Sequence, residues 1–313
     1  MATGTRTAPD GDPVLVVVGP TATGKTAVGL ALAEALGGEI INADALQIYR
    51  GFDIGTAKPS AEELARAPHH LIDILDPEEP FSAGEFTRRA RIAIEDIRSR
   101  GRRPILVGGT GLYIRALLEG IHELPDIDPE VRQTVRRRFE AEGAPALHRE
   151  LQGLDPETAA RLPPGDSQRI QRALEVVLSS GVPLSEWIRR PSSNPLPLRA
   201  QRIGLTLERA ILYDRIACRI EDMVERGWVA EVRGLLHRGI QPEAPAFQAI
   251  GYRQIVRHVM GDWSLEQALE DTVRASRRYA KRQMTWFRKE RDVQWFEALD
   301  LEHTISIVIR RIN

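Results

Sequence analysis

The sequence predicts an α/β fold: a parallel sheet flanked by helices, interrupted by an all-helical insertion domain. Three features lead there. The eight residues GPTATGKT, Gly19 to Thr26, follow the β-branched run Val14 to Val18 and open a helix-patterned stretch, which is the strand, turn and helix of a phosphate-binding P-loop. Strand and helix signals then alternate over the first third of the chain, as in a parallel sheet covered on both faces. From about Ile121 the strand signals stop and four helical stretches follow one another. The core is therefore expected to be P-loop NTPase-like, built from residues 13–120 and 200–313. Residues 121–199 form the insertion, and residues 1–12 read as a disordered tail.

Taken in order, Val14 to Val18 reads as a buried strand. Ala27 to Leu36 is helical, with Val28, Ala31, Leu32 and Ala35 on one face and Gly37 and Gly38 as its stop. Short strands are expected at Glu39 to Asn42, His70 to Leu75 and Pro104 to Val107, with a helix over Ser82 to Arg100 before the last. In the insertion, helices are expected over Pro129 to Gly143, Ala144 to Leu151, Pro156 to Leu162 and Ser167 to Ser180. The last has Asp166 or Ser167 as its N-cap and an apolar face of Ile170, Leu174, Val177 and Leu178. The Pro-rich run Arg189 to Leu198 reads as a connector back to the core, where Ile203 to Leu207 resembles one more strand. The rest is helical to about Glu290.

In a P-loop, successive backbone N–H groups curl around an anionic oxygen at a helix N-terminus, where unpaired donors already favour negative charge. Gly19, Pro20, Thr21, Ala22, Thr23, Gly24, Lys25 and Thr26 thus form a candidate diphosphate or nucleotide site, ordinarily an ATP site. Lys25 reaches the outer oxygens and Thr26 helps to hold Mg²⁺. At the exit of the second strand, Asp44 is a candidate general base or magnesium partner. Thr110, in the turn GGTGLY, faces the same region. The net charge of −1 argues mildly against a nucleic-acid partner, but Arg274 to Arg291 holds eight basic residues and a single acid, Glu290. On charge alone that stretch is a solvated helix face, with Val273, Ala280, Met284 and Phe287 packing beneath it. Phosphates need fixed cations and unstacked bases need flat groups, and both residue types occur there.

The single cysteine, Cys218, excludes an internal disulfide framework and a Cys-based zinc site, and points to a reducing cytoplasm. No run of apolar residues approaches the roughly 18 of a membrane span, and the N-terminus carries neither a signal-peptide nor a transit-peptide pattern. The seven histidines show no metal-ligand spacing; His69 and His70 read as structural. Trp228, Trp263 and Trp295 read as packing residues.

In order along the chain stand GPTATGKT, NADALQIY, GTAKP at Gly55 to Pro59, VGGTGLY, IGYRQ at Ile250 to Gln254 and KRQMTWFR at Lys281 to Arg288. Their order and spacing resemble the bacterial tRNA dimethylallyltransferases (tRNA isopentenyltransferases, the IPP transferase family) over nearly the whole chain. The resemblance implies transfer of a dimethylallyl group from dimethylallyl diphosphate to the exocyclic amine of the adenine 3′ of the anticodon. It implies Asp44 as the base, Thr110 as a substrate contact, and Arg219 or its neighbour Arg215 as a cation supplementing the P-loop, with Mg²⁺ as cofactor. Contacts to the tRNA anticodon stem-loop are implied at Asp44, Ala45, Leu46 and Gln47, and at Arg132, Gln168, Arg169, Ile170, Gln171 and Arg172. Further contacts are implied at Gln248, Gly251, Tyr252 and Arg253, and at Lys281, Arg282, Gln283, Trp286 and Arg288. Where the family has Ser-Ala-Asp-Ser, this chain has Asn-Ala-Asp-Ala, Asn42 to Ala45, so the base is kept and a hydroxyl at Ala45 is lost. The zinc finger of eukaryotic relatives is absent, and a monomeric cytoplasmic enzyme is expected.

Two other readings use the same loop. A small-molecule kinase is favoured by the first hundred residues taken alone, but the long insertion and the terminal basic stretch suit a macromolecular acceptor better. An isopentenyltransferase acting on free adenine nucleotides would have little use for Arg132, Arg169 or Arg172. A GTPase is excluded, because none of Asn42, Asn194 and Asn313 precedes a lysine.

Overall fold

The computed structural model describes residues 12–122, 124–190 and 198–312. The tail expected over 1–12 and the Pro-rich connector fall almost wholly outside the described residues. Up to Glu119 the chain runs β1 (Val14–Val18), α1 (Lys25–Leu36), β2 (Gly38–Asn42), α2 (Ala61–Arg66), β3 (His69–His70), α3 (Ala83–Ser99), β4 (Arg103–Val107) and α4 (Gly111–Glu119). Five helices follow: α5 (Pro129–Glu142), α6 (Ala144–Leu154), α7 (Pro156–Arg161), α8 (Ser167–Ser180) and α9 (Leu184–Arg189). The chain then returns with β5 (Ala200–Thr206), α10 (Arg209–Glu225), α11 (Trp228–His237), α12 (Tyr252–Val259), α13 (Leu265–Phe287), β6 (Val293–Glu297) and α14 (Leu301–Ile312). The first and third segments form one compact unit, and the stretch beginning at Gly120 forms a second.

The core unit is a six-stranded sheet in the order β3-β2-β4-β1-β5-β6, and every pairing in it is parallel. Side chains alternate across a strand, so one strand serves both faces. In β1, Leu15 and Val17 enter one apolar cluster with Ile105, Ile203 and Trp228, while Val14, Val16 and Val18 enter another with Phe86, Ile94 and Leu117. Both faces are covered, which is why β1 reads as an unbroken β-branched run. The P-loop NTPase-like fold expected from the sequence is the fold observed.

The insertion has its own small core of Val135, Leu147, Leu151, Ile170, Leu174 and Val177. Its helices are capped as their sequences direct. Asp128, Asp155 and Asp166 each accept a backbone N–H of the following turn, and Gly181 ends α8 in the left-handed region at φ 70.

Two strand assignments differ from expectation. The strand expected over His70 to Leu75 stops at His70, because Leu71 (φ 63) and Asp73 (φ 54) take left-handed backbone angles that no ladder accommodates. Only an isolated bridge from Tyr49 to Leu75 continues the direction. Strand β6 lies beyond the last element expected from sequence; it forms the sheet edge beside β5, and Trp295 covers Gly204.

Candidate active site and nucleic-acid interface

The P-loop, Asp44 and Thr110 leave the C-terminal ends of three adjacent strands, β1, β2 and β4. Register explains the convergence: Val17 and Asn42 both pair with Val107, so the three exits lie side by side. In open α/β sheets this edge is where ligands bind.

The loop takes its shape from its own backbone angles. Gly24 precedes α1 at φ 84, and Ala22 also sits at positive φ, 64, so the chain curls with its amides inward. Helix α1 has no acidic residue in its first turn and no side-chain cap, which leaves its N-terminal donors for an anion. Lys25 Nζ donates to the Pro20 carbonyl at 2.8 Å, as does Thr23 Oγ1. Burial pushes the Lys25 ammonium down to about 8, with the Asp44 carboxylate pulling against that shift and the Arg219 guanidinium adding to it. A half-buried cation beside a second cation is a site short of negative charge.

The two arginine candidates separate. Arg219 donates to Thr21 Oγ1 at 3.3 Å; burial works against its charge while Asp44 supports it. Arg215 spends both guanidinium nitrogens on the carbonyls of Ala298 and Leu299, at 3.1 and 2.9 Å. Arg215 is therefore a tie to the end of β6 and not a loop cation.

Asp44 is held by its own turn. Its Oδ1 accepts from Leu46 N at 2.9 Å, and its N–H donates to Asn42 Oδ1 at 3.0 Å. The Asn42 amide also donates to the carbonyls of Asp44 and Leu71, three bonds that a serine could not make together. Ala45 N donates to Thr110 Oγ1 at 3.0 Å, fixing the base loop against the β4 exit. Below it, Gln47 donates to the carbonyls of Thr56 and Ala57. The buried Lys58 ammonium ties this loop down, donating to Tyr49 O at 2.8 Å, Asp53 Oδ1 at 2.6 Å and Asp73 Oδ1 at 2.5 Å.

Sequence reasoning missed one residue here. Tyr279 on α13 stands near Gln283, Thr110 and Asp44; burial raises its phenol pKa, and the Asp44 carboxylate adds to that rise. Its only sequence signal was a tyrosine inside a basic helix, whereas Thr110 and Asp44 are remote from it in the chain.

The expected RNA contacts divide by exposure. Lys281, Arg282, Arg288, Arg253 and Gln248 are exposed on the core unit, as are Arg132, Gln168 and Arg169 on the insertion. Ala45, Leu46, Gln47, Gln171 and Arg172 are half-buried, Gln171 donating to Ser167 O and Arg172 pairing with Glu175 at 3.4 Å. Four expected contacts are interior instead. Ile170 is fully buried in the insertion core. Gly251 packs against the Trp228 indole, and Tyr252 is fully buried with its hydroxyl shared between Glu231 and Gly55 N. Gln283 is buried with both ends of its amide bonded to backbone. Trp286 is half-buried, with the Arg115 guanidinium over its ring at 4.4 Å, so one stacking face is taken.

The family model described as IPP transferase matches residues 47–290. A protein of Syntrophobacter fumaroxidans named tRNA dimethylallyltransferase is 48% identical over 95% of this chain and 87% of its own length. One of the same name from Halorhodospira halophila is 52% identical over 92% and 94%. Among solved structures, the full-length tRNA isopentenylpyrophosphate transferase of Bacillus halodurans superposes with a TM-score of 0.71 at 42% identity, covering 96% of both chains. A eukaryotic dimethylallyltransferase acting on tRNA gives 0.78 at 28% identity, over 96% of this chain and 77% of that one. With a family match spanning most of the chain, and relatives about half identical along nearly all of it, the chain belongs to the IPP transferase family.

Proposed function

We propose that this chain transfers a dimethylallyl group from dimethylallyl diphosphate to tRNA, at the exocyclic amine of the adenine 3′ of the anticodon. The observation that carries the proposal is the convergence of a carboxylate, Asp44, with two half-buried cations, Lys25 and Arg219, at the mouth of an anion-binding loop. The loop and its cations suit a diphosphate as leaving group. As the amine nitrogen bonds to the allylic carbon, the carbon–oxygen bond to diphosphate breaks and its electrons leave with the diphosphate, whose charge Lys25, Arg219 and the loop amides meet. Asp44 accepts the proton that the amine nitrogen gives up. Thr110, bonded to Ala45 N, holds the base loop in place while this happens.

Among the described residues no cluster of three or more His, Cys, Asp or Glu side chains could hold a metal. That suits Mg²⁺, which keeps several waters and binds through one or two protein oxygens together with substrate phosphates. Thr26, with Asp44 through water, would supply the protein's share. When bound, the ion neutralises charge on the departing diphosphate.

The exposed cations of α13 and of the first turn of α8 suit an RNA acceptor. No helix among the described residues is long and apolar enough to cross a membrane, and we place the enzyme in the cytoplasm as a monomer. Incubation with dimethylallyl diphosphate and either unmodified tRNA or AMP, followed by nucleoside mass spectrometry, tests the proposal. Prenylated adenosine is expected in the tRNA digest; prenylated AMP without prenylated tRNA overturns the acceptor.

A further inference from the structure

We infer that Gln283 is a positioning residue that couples the RNA-facing helix α13 to the diphosphate loop, so that RNA docked on α13 tightens the grip on diphosphate. The inference rests on the roles given to these two surfaces under Proposed function.

Gln283 Oε1 accepts from Thr21 N at 2.9 Å, across 262 residues of chain, and Nε2 donates to Gly109 O at 3.0 Å. One carboxamide thus bridges the first turn of the P-loop to the β4 exit, next to Thr110. The approach needs a glycine: a Cβ on Gly109 would stand 2.3 Å from Gln283 Nε2. Gln283 is 5% exposed and Gly109 is buried, so loss of the bridge strands the Gly109 carbonyl and frees the half-buried Thr21 N–H from its tertiary anchor. On its other side Thr21 is held by Arg219 through Oγ1. The loop backbone is therefore fixed by tertiary contacts at Thr21, and one of the two comes from α13.

Helical periodicity makes this bridge a connection between surfaces. Lys281 and Arg282 are exposed, whereas Gln283, one residue on, points inward. A ligand that immobilises the outer face of this turn also immobilises Gln283, and with it Thr21. A loop already ordered loses less entropy when it closes on diphosphate, and such coupling is reciprocal.

The test is the affinity of the Mg²⁺–diphosphate salt, by calorimetry, with and without an anticodon stem-loop RNA, for the parent and for Gln283→Met, which keeps volume and removes both bonds. In the parent, RNA is expected to strengthen diphosphate binding about fivefold or more. In Gln283→Met that enhancement is expected to fall to about one, although each ligand alone still binds. A measurement on the unaltered protein guards against a variant that fails to fold: RNA alone, without diphosphate, should slow amide exchange in the peptide covering Gly19 to Thr26. Unchanged loop exchange in the parent, or undiminished coupling in Gln283→Met, overturns the inference. If the parent fails to bind the RNA or to prenylate tRNA, the functional reading falls as well; transfer without coupling removes only the role of Gln283.

Discussion

At pH 7 the Lys25 ammonium is charged both in the folded protein and in the unfolded chain, so a native pKa of about 8 against 10.5 measures a cost to stability, of order 3 kcal/mol. Between those values the unfolded chain binds more protons than the native one, so this group makes stability rise with pH across the window. Lys25→Met should therefore raise the melting temperature of the ligand-free protein by a few degrees at pH 7. The advantage should shrink as pH rises from 8 to 10.5, while diphosphate binding and transfer disappear. Scanning calorimetry at several pH values checks this; a variant melting below its parent at pH 7 would mean that the bond to Pro20 outweighs burial. Asp44→Ala should abolish transfer and leave RNA affinity within about threefold of the parent, since a single contact at most is lost; filter binding and single-turnover assays separate the two. These residues were legible in the sequence because the loop motif and the strand exit define them locally. Gln283 was named only as an RNA contact and Tyr279 not at all, because the partners that define their places, Thr21, Gly109 and Thr110, lie about 170 to 260 residues away and only folding brings them together.

Among elements, the helices and buried strands were legible wherever periodicity and caps agree. Helix α8 is the clear case, with Asp166 at its start and Gly181 at its end. The expected strand at His70 to Leu75 failed because two residues adopt left-handed angles that their side chains do not advertise. Strand β6 escaped notice because an edge strand with exposed positions, VQWFE, lacks the apolar run of an inner one. Two predictions belong at this scale. On α13, Lys281→Ala with Arg282→Ala should weaken RNA binding and flatten the slope of log affinity against log salt by about 1.4, the value for two contacts to a single strand; an unchanged slope would remove both from the interface. In the insertion, the buried Asp155 caps α7 through Thr158 and reaches α9 through Ser185 N at 2.9 Å. Burial pushes its pKa up, but these hydrogen bonds outweigh it and hold the value below the usual 3.8. Its contribution is thus present at neutral pH and is lost as pH falls through that lowered value. Asp155→Ala should cost about 2–3 kcal/mol and speed amide exchange in α7 and α9, leaving α1 unaffected.

For the whole molecule, the division into two units separates the chemistry from part of the expected acceptor surface. The P-loop, Asp44, Thr110, Arg219 and Gln283 all belong to the core unit, as do both of its apolar clusters, while the insertion keeps its own core. The chain leaves the core unit after α4 and re-enters before β5, and the Glu119 carboxylate at the first point pairs with the Arg202 guanidinium of β5 at 3.4 Å. Both ends thus belong to one unit, and a flexible glycine-rich linker from Glu119 to Leu198 can replace the insertion. Since Gln283 and Arg219, which hold the diphosphate loop at Thr21, stay in the core unit, the shortened protein should fold and bind the Mg²⁺–diphosphate salt within about threefold of the parent. Its affinity for an anticodon stem-loop should fall by more than tenfold, because Arg132, Gln168, Arg169 and Arg172 go with the insertion, and charge contacts of this kind carry much of RNA affinity. The same protein also separates the two acceptor classes. An enzyme built for free adenine nucleotides would keep its turnover once the insertion is gone, whereas one built for tRNA would lose transfer to tRNA without gaining transfer to AMP. Equal prenylation of tRNA by the shortened and full-length proteins would show that the insertion's cations serve some purpose other than holding the acceptor.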